Sequence, residues 1–156
     1  MAGDTTRVHA TCVDISGAAV LLRGPSGVGK SDLALRLIDA SAAGSGLAAA
    51  RLIADDQVCL TRVDDAVIAS APPATAGKIE VRGLGIIEIA SSAQARLALV
   101  VDLMNYTEIE RLPEAGALRV KLLGVGLARI AIDAAAASAP ARIRAALGHF
   151  LGPSSG

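Results

Sequence analysis

The octapeptide GPSGVGKS, Gly24 to Ser31, decides how this chain is read. It stands between an apolar run, Ala18 to Leu22, and the stretch DLALRLIDA, in which Leu33, Ala34, Leu37 and Ile38 recur three and four apart. That spacing predicts a helix that buries one face and ends before Gly44-Ser45-Gly46. Strand, glycine-rich turn and helix in this order, with Gly, four residues and then Gly-Lys-Ser, form a phosphate loop. Backbone N–H groups and the positive end of the helix converge there on a di- or triphosphate. Gly24, Gly27 and Gly29 permit close backbone approach, with Pro25, Ser26 and Val28 between them. Lys30 reaches the β and γ phosphates, and Ser31 can ligate magnesium.

A chain of 156 residues is long enough to bury a core as one domain without disulfides or a structural metal; the domain is expected over 1–151, with a fraying tail at 152–156. Hydrophobic residues make up 53% of it, much of that alanine, and no uninterrupted apolar run is long enough to cross a bilayer. The 15 basic and 15 acidic residues balance, and there is no basic tail, which argues against generic nucleic-acid binding. Cys12 and Cys59 lie far apart and outside any CxxC motif, so reduced thiols in a cytoplasmic protein are expected. MAGDTTRVHA lacks the apolar middle of a signal peptide, and no export is expected.

Short strands are predicted at Val8–Ile15 and Ala18–Leu22, separated by Ser16-Gly17, then at Arg51–Ala54, Val58–Arg62 and Val67–Ala69. KIEVRGLGIIEIA (78–90) reads as a strand interrupted by Gly83 and Gly85. Leu97–Val101, Ala117–Leu122 and Leu127–Ile132 complete the strands, and Pro140 opens a last helix with Ile143, Ala146, Leu147 and Phe150 on one face. A phosphate loop needs a carboxylate near its metal, at the end of a neighbouring apolar strand. Two stretches compete: RLIADD, ending in Asp55-Asp56, and LALVVD, ending in Asp102. Adjacent acids on an extended chain point opposite ways, so one could meet metal while the other takes a proton. His9, Glu80, Arg82 and Arg111 are candidates that, read alone, would pass for packed or solvated side chains.

Taken in order, HATCVDISG, GPSGVGKSDLALRLI, RLIADD, EVRGLGIIEI and the ERL after NYT resemble the blocks of the bacterial HPr kinase/phosphorylase catalytic domain over residues 8 to about 132. The resemblance implies an α/β fold: a P-loop kinase core of the HPr kinase and phosphoenolpyruvate carboxykinase type, with strand-rich sheets, a P-loop helix and a C-terminal helix. It implies transfer of phosphate from ATP, with Mg2+, to a serine of the phosphocarrier protein HPr, and in many members phosphorolysis to pyrophosphate. Carried over by position, His9 takes an active-site role, Gly24 to Ser31 become the ATP loop, Ser31, Asp56 and Glu80 lie at the metal, and Asp55 becomes the general base. Arg82 and Arg111 become holders of phosphate charge, Gly83 and Gly85 belong to the family's signature block, and Asp102 drops to a structural place. The family also implies a homo-oligomer, hexameric in its longer members.

The chain departs from that pattern in three places. The kinase block begins at once, as in short forms resembling those of alphaproteobacteria, so regulation through an N-terminal domain is not expected. SAAGSGLAAA (41–50) lengthens the link to RLIADD, and AIDAAAASAPARIRAAL replaces the basic, glycine-containing loop associated with phosphorolysis. Kinase activity therefore follows more directly than phosphorylase activity. Two other readings stand beside it: a nucleotide-sensing module that docks HPr or a signalling protein without turnover, and a small-molecule kinase.

Overall fold

The computed structural model describes residues 2–152, and its architecture follows from one strand, β3 (Ala18–Arg23). Val20 and Leu22 face one apolar cluster while Ala19 and Leu21 face another. A strand that is apolar at successive positions needs cover on both sides. The remaining elements provide it: β1 (Ala2–His9), β2 (Thr11–Ile15), α1 (Lys30–Ala40), β4 (Ala50–Ala54), β5 (Gln57–Val63), β6 (Ala66–Ser70), β7 (Lys78–Val81), β8 (Gly85–Glu88), β9 (Gln94–Leu103), β10 (Arg119–Leu122), β11 (Val125–Ile132) and α2 (Ala139–Leu151).

The main sheet runs β1-β5-β6-β9-β3-β2-β4, and β11 joins β9 beyond β6 with β10 on its outer edge. The contacts β3·β9 and β9·β11 are parallel; those along the rest of the path are antiparallel. The chain links the two ends of this path twice, because β1 runs into β2 through Ala10 and β4 into β5 through Asp55-Asp56. Ala10 N–H donates to the Asp56 carbonyl at 3.3 Å, so the two kinks lie side by side. The sheet thereby curls around an inner core of Cys12, Ala19, Leu21, Ile53, Val58 and Leu60. On its other face Val13, Val20, Leu22, Leu52 and Val101 pack against Leu33 and Leu37 of α1 and Ile143 and Leu147 of α2. Arg144 fastens the helices together, donating to the carbonyls of Leu37 (3.2 Å) and Ala48 (2.8 Å).

Predicted and observed elements differ where the apolar signal is weak. The expected strand Val8–Ile15 is two strands broken at Ala10, and the first reaches back to Ala2 through polar residues that alternation alone does not mark as a strand. Residues 115–118 form a 3-10 turn, so the strand expected from Ala117 begins at Arg119. The tail expected to fray lies, apart from Gly152, outside the described residues. Among the described residues no helix is long and apolar enough to cross a membrane. Both cysteines are free, and burial followed by the charge of Asp14 drives the Cys12 thiol pKa far upward, which leaves it an unreactive core residue.

Leu52 and Arg51 test the two-core arrangement, because one is fully buried and its neighbour exposed on the same strand. Leu52→Ala is expected to cost about 2–5 kcal/mol in urea unfolding, whereas Arg51→Ala stays within about 0.5 kcal/mol.

Candidate active site

Beyond Arg23 the chain turns through Gly24–Gly29 into α1. Gly29 caps the helix at φ 107°, and a Cβ there would lie 3.3 Å from Ala134 Cβ, so conformation and space both call for glycine. The first-turn N–H groups have no partners within the helix and carry its positive end. They border a cleft of about 550 Å3. Lys30 folds over the loop, its Nζ donating to the carbonyls of Gly24 at 2.7 Å and Pro25 at 3.0 Å. Burial lowers its pKa from the ordinary lysine value, against the opposing pull of Asp56 and then Asp55.

Asp55 follows the last residue of β4 and is only 7% exposed. Its Oδ1 accepts the hydroxyls of Ser31 at 2.6 Å and Thr11 at 2.9 Å, and its Oδ2 accepts the Glu80 N–H at 3.0 Å. A buried carboxylate needs such donors. These three arrive from α1, β2 and β7. Asp56 turns the other way, its side chain 71% exposed, with Oδ1 3.2 Å from His9 Nδ1. The other ring nitrogen of His9 lies 3.4 Å from Ser26 Oγ.

The competing acid, Asp102, stands beside Arg23 in the parallel register of β3 and β9. Arg23 Nε and Nη2 reach its two oxygens at 2.8 and 3.0 Å, and Arg129 Nε binds at 2.7 Å. Burial alone would raise its pKa, but these hydrogen bonds and the two guanidinium charges outweigh burial and hold it below the ordinary carboxylate value. Asp102 is thus committed to a structural triad, in agreement with the secondary place the family resemblance gave it.

The cleft gathers most of the residues marked in the sequence: His9, the loop from Ser26 to Ser31, Asp56, Glu80 and Arg82. Gly24 and Pro25 serve it from behind through their carbonyls, and Asp55 through Ser31. Gly83 and Gly85 shape the tip of the β7–β8 hairpin, where Leu84 N–H bonds the Val81 carbonyl at 2.9 Å. Arg111 is not brought in. It lines a separate cavity of about 350 Å3 with Arg129 and Arg142, because the chain after β9 leads away along β11 and α2. Sequence reading missed Thr11, although its position two residues from His9 on an extended chain was a usable signal. It also missed the roof formed by Ala134 and Ala135, which Arg36 of α1 holds through the carbonyls of Ala134 and Ala136.

The donors at this end of the cleft suit Mg2+, a hard cation that takes few protein ligands and completes its shell with water and phosphate oxygens. The Ser31 hydroxyl and Glu80 carboxylate would hold it directly, with Asp55 fixing Ser31 from behind. Among the described residues no three His, Cys, Asp or Glu side chains form a ready-made metal cage.

A strand, a glycine loop and a helix beside parallel strands, with an acid holding the loop serine, define a phosphate-loop protein of the α/β class. Comparison narrows this: the chain belongs to the HPr Serine kinase C-terminal domain family, whose model matches residues 2–147. It is 43% identical over 86 residues to an HPr kinase/phosphorylase of Clostridium tetani, an alignment covering 55% of this chain and 26% of that protein. It is 37% identical over 119 residues to HPr kinase/phosphorylase 1 of Oceanobacillus iheyensis, covering 71% and 36%. The chain thus spans about a quarter to a third of the length of these relatives. The fold matches the Hpr(Ser) kinase/phosphatase structure from Coxiella burnetii at a TM-score of 0.77, with 25% identity and coverage of 94% of this chain and 91% of that one.

Because the Asp102 carboxyl is held below its ordinary pKa, its contribution to stability is present above the unfolded value, near 3.8, and is lost as pH falls through the folded value. Asp102→Asn should cost about 1.5–3 kcal/mol in urea unfolding at pH 7. The difference from wild type should shrink as the pH is lowered past the ordinary carboxylate range.

Proposed function

We propose that the protein is an ATP-dependent, Mg2+-requiring kinase that phosphorylates a serine of the phosphocarrier protein HPr. The observation that carries this reading is the 2.6 Å bond from Ser31, which lines the cleft, to the buried Asp55 beneath it, which fixes the loop hydroxyl in place. Family membership and the names of the relatives supply the acceptor. Phosphoryl transfer asks for alignment and neutralisation of charge more than for an unusual nucleophile. The loop N–H groups bind the phosphate chain, and Lys30 leaves the Gly24 and Pro25 carbonyls for the β and γ phosphates. Mg2+, when bound, neutralises charge on the phosphates. His9 and Arg82 border the acceptor side of the cleft, and a carboxylate of the Asp55-Asp56 pair receives the serine proton. The same carboxyl would return that proton in phosphorolysis. Arg111 enters only if the chain moves or a second copy supplies it, which accords with the homo-oligomer expected from the family.

Incubation with ATP, Mg2+ and purified HPr, followed by mass spectrometry, should yield phosphoserine on HPr. Lys30→Met should reduce its rate by on the order of a hundredfold or more. Tight ATP binding with unmodified HPr would instead favour a nucleotide sensor.

A further inference from the structure

Away from the nucleotide cleft, three arginines from three separate elements meet at the second cavity, of about 350 Å3. Arg129 arrives on β11, Arg142 on the first turn of α2, and Arg111 on the segment between β9 and β10. Met104, Ile109, Leu118, Ile130 and Ile132 supply apolar surface between them. The three guanidinium groups are not in the same condition. Arg129 is committed within the protein, to Asp102 at 2.7 Å and the Ala117 carbonyl at 3.1 Å. Arg142 donates from its Nε to Ser138 Oγ at 2.8 Å, and the two terminal nitrogens of its fork have no partner among the described residues. Among the described residues neither Arg111 nor Arg142 forms an ion pair, although Glu108 and Glu110 border the same cavity. Guanidinium forks left without an acid beside apolar surface are suited to a planar anion carried on an apolar molecule.

We propose that this cavity is a regulatory site for a small monocarboxylate with an apolar body, held by Arg111 and Arg142 and coupled to the nucleotide cleft through Asp133. The apolar lining takes the body, and the two free forks take the carboxylate. Glu108 and Glu110 set the charge. One negative charge is matched by the free arginines, whereas a phosphate ester would bring a second charge against two carboxylates. The link to the cleft is a single side chain. Asp133 Oδ2 accepts the N–H of Tyr106, on the segment that carries Arg111, at 3.0 Å. Its Oδ1 accepts the N–H of Ala135, in the roof of the cleft, at 2.9 Å. Its neighbours divide in the same way, Ile132 lining the second cavity and Ala134 the cleft. Residues 104–118 are mostly exposed and contain only two short 3-10 turns, the kind of backbone that an occupant orders. A ligand gripped by Arg111 and Arg142 fixes that segment against α2, Asp133 passes the constraint to the roof, and nucleotide then meets a better-ordered cleft. The inference concerns binding alone and holds whatever the phosphate acceptor is.

Hexanoate is the probe, with phenyl phosphate as the doubly charged comparison. Titrated into the wild-type chain, hexanoate should shift the amide NMR signals of Tyr106, Ala135 and Arg142 and saturate with a Kd of about 1 mM or below. Phenyl phosphate should act on the same amides at least about tenfold more weakly. Arg142→Ala should weaken hexanoate binding by about tenfold or more. Position 142 is exposed, and alanine keeps the helix while removing the fork. Saturating hexanoate should tighten the binding of a fluorescent ATP analogue with Mg2+ by about fivefold. In Asp133→Asn that gain should fall below about twofold while hexanoate still binds, because an amide offers one acceptor oxygen where the carboxylate offers two. Failure of hexanoate to bind, or equal binding to Arg142→Ala, would overturn the site. Phenyl phosphate acting on these amides as strongly as hexanoate would overturn the ligand class. Hexanoate that binds but leaves the analogue's affinity unchanged, or lowers it by competing at the phosphate loop, would overturn the regulatory role.

Discussion

The carboxylate of Asp55 is the interaction on which the site depends. It is nearly buried, and a carboxylate in that position is tolerated only when donors surround it. Ser31 brings the first turn of α1, Thr11 brings β2, and the Glu80 N–H brings the β7–β8 hairpin. Three segments distant in sequence are therefore set around one point, and with them the phosphate loop, the His9 strand and the acidic wall of the cleft. Removing the carboxylate would strand buried donors and loosen all three together, so its role is architectural as much as chemical.

That arrangement explains why the sheet is kinked where it is. An unbroken β4–β5 strand would send successive side chains to opposite faces, placing one acid in each core. The turn at Asp56 and the break at Ala10 instead put both carboxylates near the phosphate loop, one beneath it and one beside it. They also let β1 and β5 leave the plane of β2 and β4 and enclose the inner core around Leu21 and Ile53. The second core and the placement of the acids are consequences of the same pair of bends.

The phosphate loop was legible in the sequence because its demands are local: glycines at fixed offsets, a lysine and a serine, an apolar strand before and a periodic helix after. The strands and both helices followed from periodicity for the same reason. What was not legible depends on contacts far apart in sequence. Ala10 breaks a run that reads as one strand, since nothing in its composition signals a kink held by Asp56 across the sheet. The polar stretch before His9 pairs with β5 without an apolar pattern to mark it. Adjacency of Asp55 and Asp56 suggested divergent roles but could not say which acid would be buried, because that is fixed by Thr11 and Ser31. Arg111 lies away from the cleft because the path of residues 104–118 is set by packing on β11 and α2.

The position of Asp102 bears on why the acids reside on β4 at all. β9 is the parallel neighbour of the loop strand and ends in an acid, the place from which a phosphate-loop protein draws its metal-binding carboxylate. Here two arginines occupy that carboxylate, and both of its oxygens are engaged. Its charge stabilises the base of the loop through Arg23 and ties β9 to β11 through Arg129. With the parallel neighbour so committed, the antiparallel edge must supply the acids, and there a sharp turn can present two of them at different depths. A central strand, held on both sides by ladder hydrogen bonds, could not bend so abruptly without losing them. The left-handed backbone of Asp56, at φ 69°, is therefore located where the fold can sustain it, at the junction of two strands rather than within one.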